Sequence, residues 1–339
     1  MTADPKGRGA GPTVLTLKDL KVRFSSPEGE VRAVNGVSLT VHPRETLGVV
    51  GESGSGKSQT FLAVMGLLAA NGRVEGIARY RDRDLLGLGP RELDTIRGGR
   101  MTMIFQDPMT SLNPFLKVGL QLSEVLVRHL RMDRRRAQVR AVEMMERVQI
   151  PEAARRFHQY PHEFSGGMRQ RVMVAMSLLC NPELLIADEP TTALDVTIQA
   201  QILELFDRLK ADFDTAIVII THDLGVVAEL CDRVLVMYAG SVMEAGSVEE
   251  IFYQPQHPYT IGLLASTPRL DRTAHGELLT IPGQPPNLQR LPPVGCPFAH
   301  RCPQVFDRCR RETPLLREVG DPAGHLKACH LEPGADLNP

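Results

Sequence analysis

The eight residues Gly51-Glu52-Ser53-Gly54-Ser55-Gly56-Lys57-Ser58 limit what this chain can fold into more than any other feature, because they satisfy G-x-x-x-x-G-K-[ST]. They follow a short apolar run, Thr46 to Val50, that reads as a strand, and they open a segment from Ser58 that reads as a helix stopping at Asn71-Gly72. A strand that enters a glycine-rich loop and leaves as a helix aims backbone N–H groups, and the positive end of the helix, at one point. Such a point binds phosphate. Gly51, Gly54 and Gly56 let the backbone wrap closely around oxygen atoms, Lys57 reaches the β- and γ-phosphates, and the Ser58 hydroxyl is a ligand for Mg²⁺. Ser53, Ser55 and Gln59 complete the expected ATP-binding set.

A second apolar strand, Leu184 to Ala187, runs into Asp188 and Glu189. Its carboxylates therefore emerge at the C-terminal edge of a buried strand, where α/β sheets bind ligands. Asp188 is expected to hold Mg²⁺ directly or through water, and Glu189 to polarise the water that attacks the γ-phosphate. Composition agrees with an α/β chain: 42% hydrophobic and 23% charged residues exclude a disordered chain or a coiled coil. Lys+Arg 39 against Asp+Glu 40 gives a net charge of −1, so no general positive field recruits nucleic acid.

Val14 to Phe24 alternates as two short strands or one bent strand, and Val31 to Val41 repeats the pattern after a turn cluster at Ser25 to Glu30. From about Pro108 to Leu179 the pattern is mostly helical; Asp133 is a plausible N-cap, with Val139, Val142, Met145 and Val148 on one face before Pro151. Ala216 to Ile220 reads as another buried strand, joined to the first by a helix over Ile198 to Leu209. Val234 to Met243 reads as a hairpin turning at Ala239-Gly240. The expected organisation is a disordered start over 1–12, a nucleotide-binding domain over 13–259 with a helical subdomain at about 107–180, and an extension over 260–339. The most apolar stretch, Val172 to Cys180 broken by Ser177, is shorter than the ~20 residues of a spanning helix, and Met1 to Pro12 has no secretory core. A cytosolic chain is therefore expected.

Phe164-Ser165-Gly166-Gly167-Met168-Arg169-Gln170 narrows the class, because Ser-Gly-Gly-x-x-Gln resembles the signature of ATP-binding cassette proteins. Gln106 after the apolar run Met101 to Phe105, Ala193-Leu194-Asp195 just past the acids, and His222 after the Ala216 strand stand where that family places its other motifs. The resemblance implies a P-loop ABC-type nucleotide-binding domain, with a RecA-like core, an antiparallel β subdomain and a helical subdomain, carrying a small Cys-rich C-terminal extension. It also implies head-to-tail pairing of two cassettes, so that Ser165, Gly166, Gly167 and Gln170 cap the ATP on a partner's glycine loop. The same resemblance gives His222 a contact with the γ-phosphate beside Glu189, Gln106 a link from Mg²⁺ to a membrane subunit, Asp195 a place at the dimer interface, and Phe24 a stack on adenine.

Met103-Ile104-Phe105-Gln106-Asp107-Pro108 through Asn113-Pro114, and Tyr160-Pro161-His162-Glu163, look like the peptide and nickel importer group. His257-Pro258-Tyr259-Thr260, Leu279-Thr280-Ile281-Pro282-Gly283, Pro285-Pro286-Asn287-Leu288, Gly295-Cys296-Pro297-Phe298 and Arg301-Cys302-Pro303 resemble the D-subunit family of bacterial oligopeptide permeases. That likeness implies ATP-driven oligopeptide import at the cytoplasmic face of the inner membrane, with a second cassette subunit in a heterodimer, two transmembrane permease subunits and an extracytoplasmic peptide-binding protein. A dipeptide or nickel importer, and a cassette ATPase with no transport role, are the competing readings.

Cys296, Cys302, Cys309 and Cys329 crowd into a proline-rich, weakly periodic tail with spacing C-x5-C-x6-C-x19-C. Tetrahedral thiolate sets suit an iron-sulfur cluster or zinc, and free or buried thiols are the remaining reading; the absence of C-x2-C and the Pro after two of the cysteines favour the cluster over zinc. The resembled subunits are associated with a [4Fe-4S] cluster here. Cys180 and Cys231 read as small buried hydrophobes, the arginines from Arg128 to Arg140 as a solvated helix face, and His300, His325 and His330 as surface histidines.

Overall fold

The computed structural model describes residues 13–106, 111–192, 196–212, 214–266, 280–289, 294–320 and 324–332. Its strands, in chain order, are β1 (Leu15–Ser26), β2 (Gly29–Val41), β3 (Thr46–Val50), β4 (Gly72–Tyr80), β5 (Arg83–Asp84), β6 (Met101–Ile104), β7 (Leu184–Asp188), β8 (Ala216–Thr221), β9 (Arg233–Tyr238), β10 (Ser241–Ser247), β11 (Arg317–Glu318) and β12 (Leu326–Lys327). The expected disordered start and the Ala193-Leu194-Asp195 motif lie outside the described residues. Two compact units divide the chain: one falls within Met1–His42, Leu47–Gly87 and Thr221–Pro339, the other within Pro43–Thr46 and Leu88–Ile220.

In the first unit an antiparallel sheet has the order β2-β1-β4-β5. β1 is one strand, bent where its register shifts between Leu17 and Leu20. Asp19 takes φ 48 there, and Gly76 of β4 passes so close that a Cβ would sit 2.4 Å from the Asp19 carbonyl oxygen. The bulge restores alternation, so Leu15, Leu17, Leu20 and Val22 all point into the core. Leu47–Val50 of β3 runs parallel to β9, with Leu47 opposite Arg233 and Val50 opposite Val236. β9 turns at Ala239-Gly240 into β10, and β10 pairs with β12, which pairs with β11. The helix after the glycine loop, Lys57–Val64, is shorter than the sequence pattern to Asn71 suggests, because Gly66 at φ 62 turns the chain out of it.

The extension has no core to itself. Tyr259 and Phe298 sit in one cluster with Val50, Val234, Val236, Tyr238 and Met243, and Cys296, Cys302, Ile281 and Leu288 pack against that cluster. Fully buried Glu244 on β10 ties it in polar fashion: its carboxylate accepts the N–H groups of Gln256 and His257 and lies 2.7 Å from His325 Nε2. His325 is thus a core residue and not the surface histidine that its polarity suggests.

In the second unit β6, β7 and β8 are parallel, with β7 in the middle, and the helix Val196–Asp212 makes the crossover from β7 to β8. β7 and β8 are buried at every position, which is why they read as continuous apolar runs. Asp133 caps the helix Arg134–Arg147 by accepting the Arg136 N–H. The buried face of that helix is Ala137, Ala141, Met144 and Met145, continued by Val148; it keeps Met145 and Val148 of the expected face, with Val142 half-buried, but leaves Val139 60% exposed. Among the described residues no helix is long and apolar enough to cross a membrane.

Candidate functional site

The glycines of the loop answer two different needs. At Gly51 a Cβ would lie 2.1 Å from the Met237 carbonyl oxygen, and at Gly56 it would lie 2.3 Å from that of Ala33, so both positions require the backbone to pass where no side chain fits. Both have positive φ, 149° and 94°. Gly54, at φ 78, opens onto free space. Lys57 begins the helix and is buried; its Nζ donates to the carbonyl oxygens of Gly51 at 2.7 Å and Glu52 at 3.0 Å, and lies 3.4 Å from Ser55 Oγ. One ammonium therefore closes the loop into a ring. Ser58 and Gln59 follow in the first helical turn, half-buried.

Two further expected residues belong to this unit. Phe24, near the end of β1, stands opposite Val31 and Gly72, and only a glycine leaves room for its ring, which would lie 2.8 Å from a Cβ at 72. His222 is exposed between Thr221, whose hydroxyl accepts the Asp223 N–H, and Asp223, whose carboxylate caps the helix Leu224–Leu230. Sequence reasoning missed Arg301 and Tyr259, which reach Glu52 of the loop from the extension. Burial works against the charge on Arg301, but hydrogen bonds to Glu52 and Tyr238 hold its pKa above the ordinary arginine value.

The second unit carries the acids. Asp188 ends β7 and is buried, while Glu189 follows at φ 50, a left-handed conformation that costs a non-glycine residue free energy. Two bonds hold it there: its N–H donates to the Ile220 carbonyl and its carboxylate accepts the Thr192 hydroxyl at 2.7 Å. Gln106 is exposed two residues past β6. Ser165 caps the helix Gly166–Leu178 by accepting the Met168 N–H, and Ser165 and Gly166 are exposed at its start. Gly167 is buried where a Cβ would meet Ile198 at 2.6 Å. Gln170 is 2% exposed, and its amide donates to the carbonyl of Pro190, next to Glu189.

The hydroxyl of Ser58, the carboxylate of Asp188 and the amide of Gln106 are all oxygen donors, the chemistry a Mg²⁺ ion takes. The four tail cysteines line one small cavity, together with His257, Phe298 and His330. Burial pushes the Cys296 thiol up to about 12 and the Cys302 thiol up to about 11, and raises Cys329 as well. Working the other way, backbone N–H groups reach three of the sulfurs: Phe298 to Cys296, Gln304 to Cys302, and Leu331 and His330 to Cys329. Buried Lys327 has no hydrogen-bond partner for its Nζ among the described residues; burial lowers its pKa, and the Cys329 sulfur acts against that lowering. Among the described residues no three His, Cys, Asp or Glu side chains are gathered as a single metal ion would need.

A phosphate loop at a strand-to-helix turn, with paired acids at the end of a buried strand, defines a nucleotide-triphosphate-hydrolysing protein. Comparison with known proteins refines the class. Residues 34–192 match the ABC transporter family, and residues 243–309 match the oligopeptide/dipeptide transporter C-terminal region. The oligopeptide transport ATP-binding protein OppD of Salmonella typhimurium is 58% identical over 316 residues, covering 93% of this chain and 93% of its own. The dipeptide transport ATP-binding protein DppD of Bacillus subtilis is 52% identical over 321 residues, 94% of this chain and 95% of its own. Among solved structures, a dimeric post-hydrolysis state of the ATP-binding cassette MJ0796 bound to ADP and Pi matches with a TM-score of 0.62 and 28% identity, over 69% of this chain and 98% of that one. The chain belongs to the ABC transporter family of ATP-binding proteins.

Proposed function

We infer that this chain is the ATP-hydrolysing subunit that powers oligopeptide import through an ABC transporter, converting ATP and water to ADP and phosphate. The observation that carries the reading is the near full-length identity to OppD, in a chain whose tail also matches the oligopeptide/dipeptide transporter region. The loop chemistry supports it. Backbone N–H groups of Ser53 to Ser58 and the helix start receive the phosphates, and Lys57 exchanges its loop carbonyls for β- and γ-phosphate oxygens. Mg²⁺, when bound, neutralises the charge that develops on those oxygens; Ser58, Asp188 and Gln106 are the residues that would hold it. Glu189, held in place by Thr192, polarises the attacking water, and His222 supports it at the γ-phosphate.

Pairing with a second cassette brings Ser165, Gly166 and Gly167 of one chain to the ATP of the other, with Asp195 at the interface and Phe24 against adenine. Two membrane permeases, a heterodimeric cassette partner and an extracytoplasmic binding protein complete the proposed assembly, with this chain attached peripherally at the cytoplasmic face. The tail cysteines fit a group that wants four thiolates spread around a cavity, N–H donors on the sulfurs and a buried cation nearby, and a [4Fe-4S] cluster is such a group. Anaerobic purification followed by iron, sulfide and zinc assays tests this: iron and sulfide near four each per chain are expected, and zinc alone overturns it. The dipeptide relative motivates the second reading. Uptake of labelled oligopeptide, dipeptide and nickel in cells whose only copy carries Lys57→Ala separates them. Loss of oligopeptide uptake alone is expected; loss of dipeptide or nickel uptake alone moves the assignment to that solute.

A further inference from the structure

The extension reaches the phosphate loop through one side chain. Arg301, 3% exposed at its side chain, makes a two-pronged ion pair with Glu52: Nη1 donates to Oε2 at 2.6 Å and Nη2 to Oε1 at 3.1 Å. The same guanidinium donates to the carbonyl oxygens of Pro282 (2.9 Å) and Ile281 (3.3 Å) and to the Tyr238 hydroxyl (3.3 Å). Glu52 is gripped a second time, because its backbone N–H donates to the hydroxyl of fully buried Tyr259 at 2.9 Å. The segment that Arg301 anchors continues beside the loop: Pro285, Pro286 and Leu288 line an open pocket of about 90 Å³ with Glu52, Ser53, Gly54 and Ser55. Gln289 then bonds to Ser26, two residues past Phe24.

Glu52 occupies an unspecified position of the motif, and a carboxylate there is electrostatically adverse. It stands inside a loop whose purpose is to receive a polyanion, where each nearby negative charge opposes binding. The planar fork of Arg301 offsets that charge and at the same time fixes the carboxylate's direction, which a lysine could not do. We propose that Arg301, supplied by the C-terminal extension, is a positioning residue for the phosphate loop: it neutralises Glu52 and holds the loop in the form that binds the nucleotide phosphates. The extension therefore sets ATP affinity through a contact 249 residues distant in the chain. This inference rests on the reading of the loop as the ATP site.

The test is equilibrium binding of Mg-ATP to the full chain, with KM and kcat for hydrolysis in the assembled transporter. Arg301→Gln leaves the Glu52 carboxylate uncompensated, so the Kd and KM for ATP should rise about tenfold while kcat stays within about twofold. Glu52→Gln combined with Arg301→Gln removes both charges and should return ATP affinity to within about threefold of the parent. Unchanged affinity in Arg301→Gln overturns the proposal, and so does a double variant as weak as the single, since an arginine that only supports the core would not be rescued by loss of the carboxylate. Should Arg301→Gln fail to fold, the double variant decides alone: near-parental affinity supports the proposal and a loss of about tenfold or more overturns it. Lys57→Ala serves as the control for the underlying reading. If it also leaves Mg-ATP binding intact, the loop is not the ATP site; if it abolishes binding while Arg301→Gln has no effect, only the role of Arg301 falls.

Discussion

Glu189 holds a left-handed backbone that its neighbours enforce, the Ile220 carbonyl taking its N–H and the Thr192 hydroxyl its carboxylate. Replacing it with Gln keeps its shape but removes the negative charge to which the proposed function gives the polarising of water. Turnover by Glu189→Gln should fall by about 10²–10⁴-fold with Mg-ATP affinity nearly unchanged, measured by single-turnover hydrolysis beside equilibrium binding. Gly56 makes a different prediction. A methyl group there meets the Ala33 carbonyl at 2.3 Å on a backbone at φ 94, so Gly56→Ala should lose more than about 1 kcal/mol of stability, read by denaturant unfolding. The phosphate loop was legible because its residues are contiguous and each glycine has a local reason. The Arg301–Glu52 pair and the Glu244–His325 pair were not, since both depend on which distant segments the fold brings together and no periodicity records that.

The helix Gly166–Leu178 does two jobs at its ends, presenting Ser165 and Gly166 to solvent and anchoring Gln170 on Pro190. Its first turn depends on the Ser165 hydroxyl. Ser165→Ala should cost about 1 kcal/mol of helix stability, while Ser165→Gly costs only a few tenths; thermal melts of the two variants distinguish capping from other losses. Strands were easier to place than helix faces. β3, β7 and β8 are buried throughout, so an unbroken apolar run marks them, whereas the face of Arg134–Arg147 was set by alanines and methionines that small size or flexibility keeps out of a simple count. β1 shows a third case: Asp19 and Gly76 make a bulge that breaks alternation in the sequence and restores it in space.

Across the whole chain, the extension is bound to the rest of its unit by apolar packing and by buried polar groups, and the polar groups make it sensitive to acid. His257 is fully buried, accepts the Tyr259 N–H on Nδ1, and has its pKa lowered from 6.5 to about 3, first by burial and then by Lys327. The unfolded chain therefore takes up a proton between those values that the folded chain refuses. Stability should be full above about pH 6.5 and decline as pH falls toward 3, and His257→Gln should flatten that decline in melting temperature against pH. The cysteines were legible as a set, but not the buried Lys327 beside them, whose charge makes sense only once β12 is paired to β10.

The extension's want of a private core has a consequence for recombination between relatives. Tyr259 and Phe298 are embedded among Val234, Val236 and Tyr238 of β9, so a crossover placed between β10 and the helix Pro258–Ala265 would unite two halves of one apolar interior that never evolved against each other. A tail is heritable here only together with its hairpin. Chimaeras that exchange the segment from β9 onward as a block should fold better than those cut at residue 257, because only Val50, Leu224 and Val227 of the cluster are then left behind.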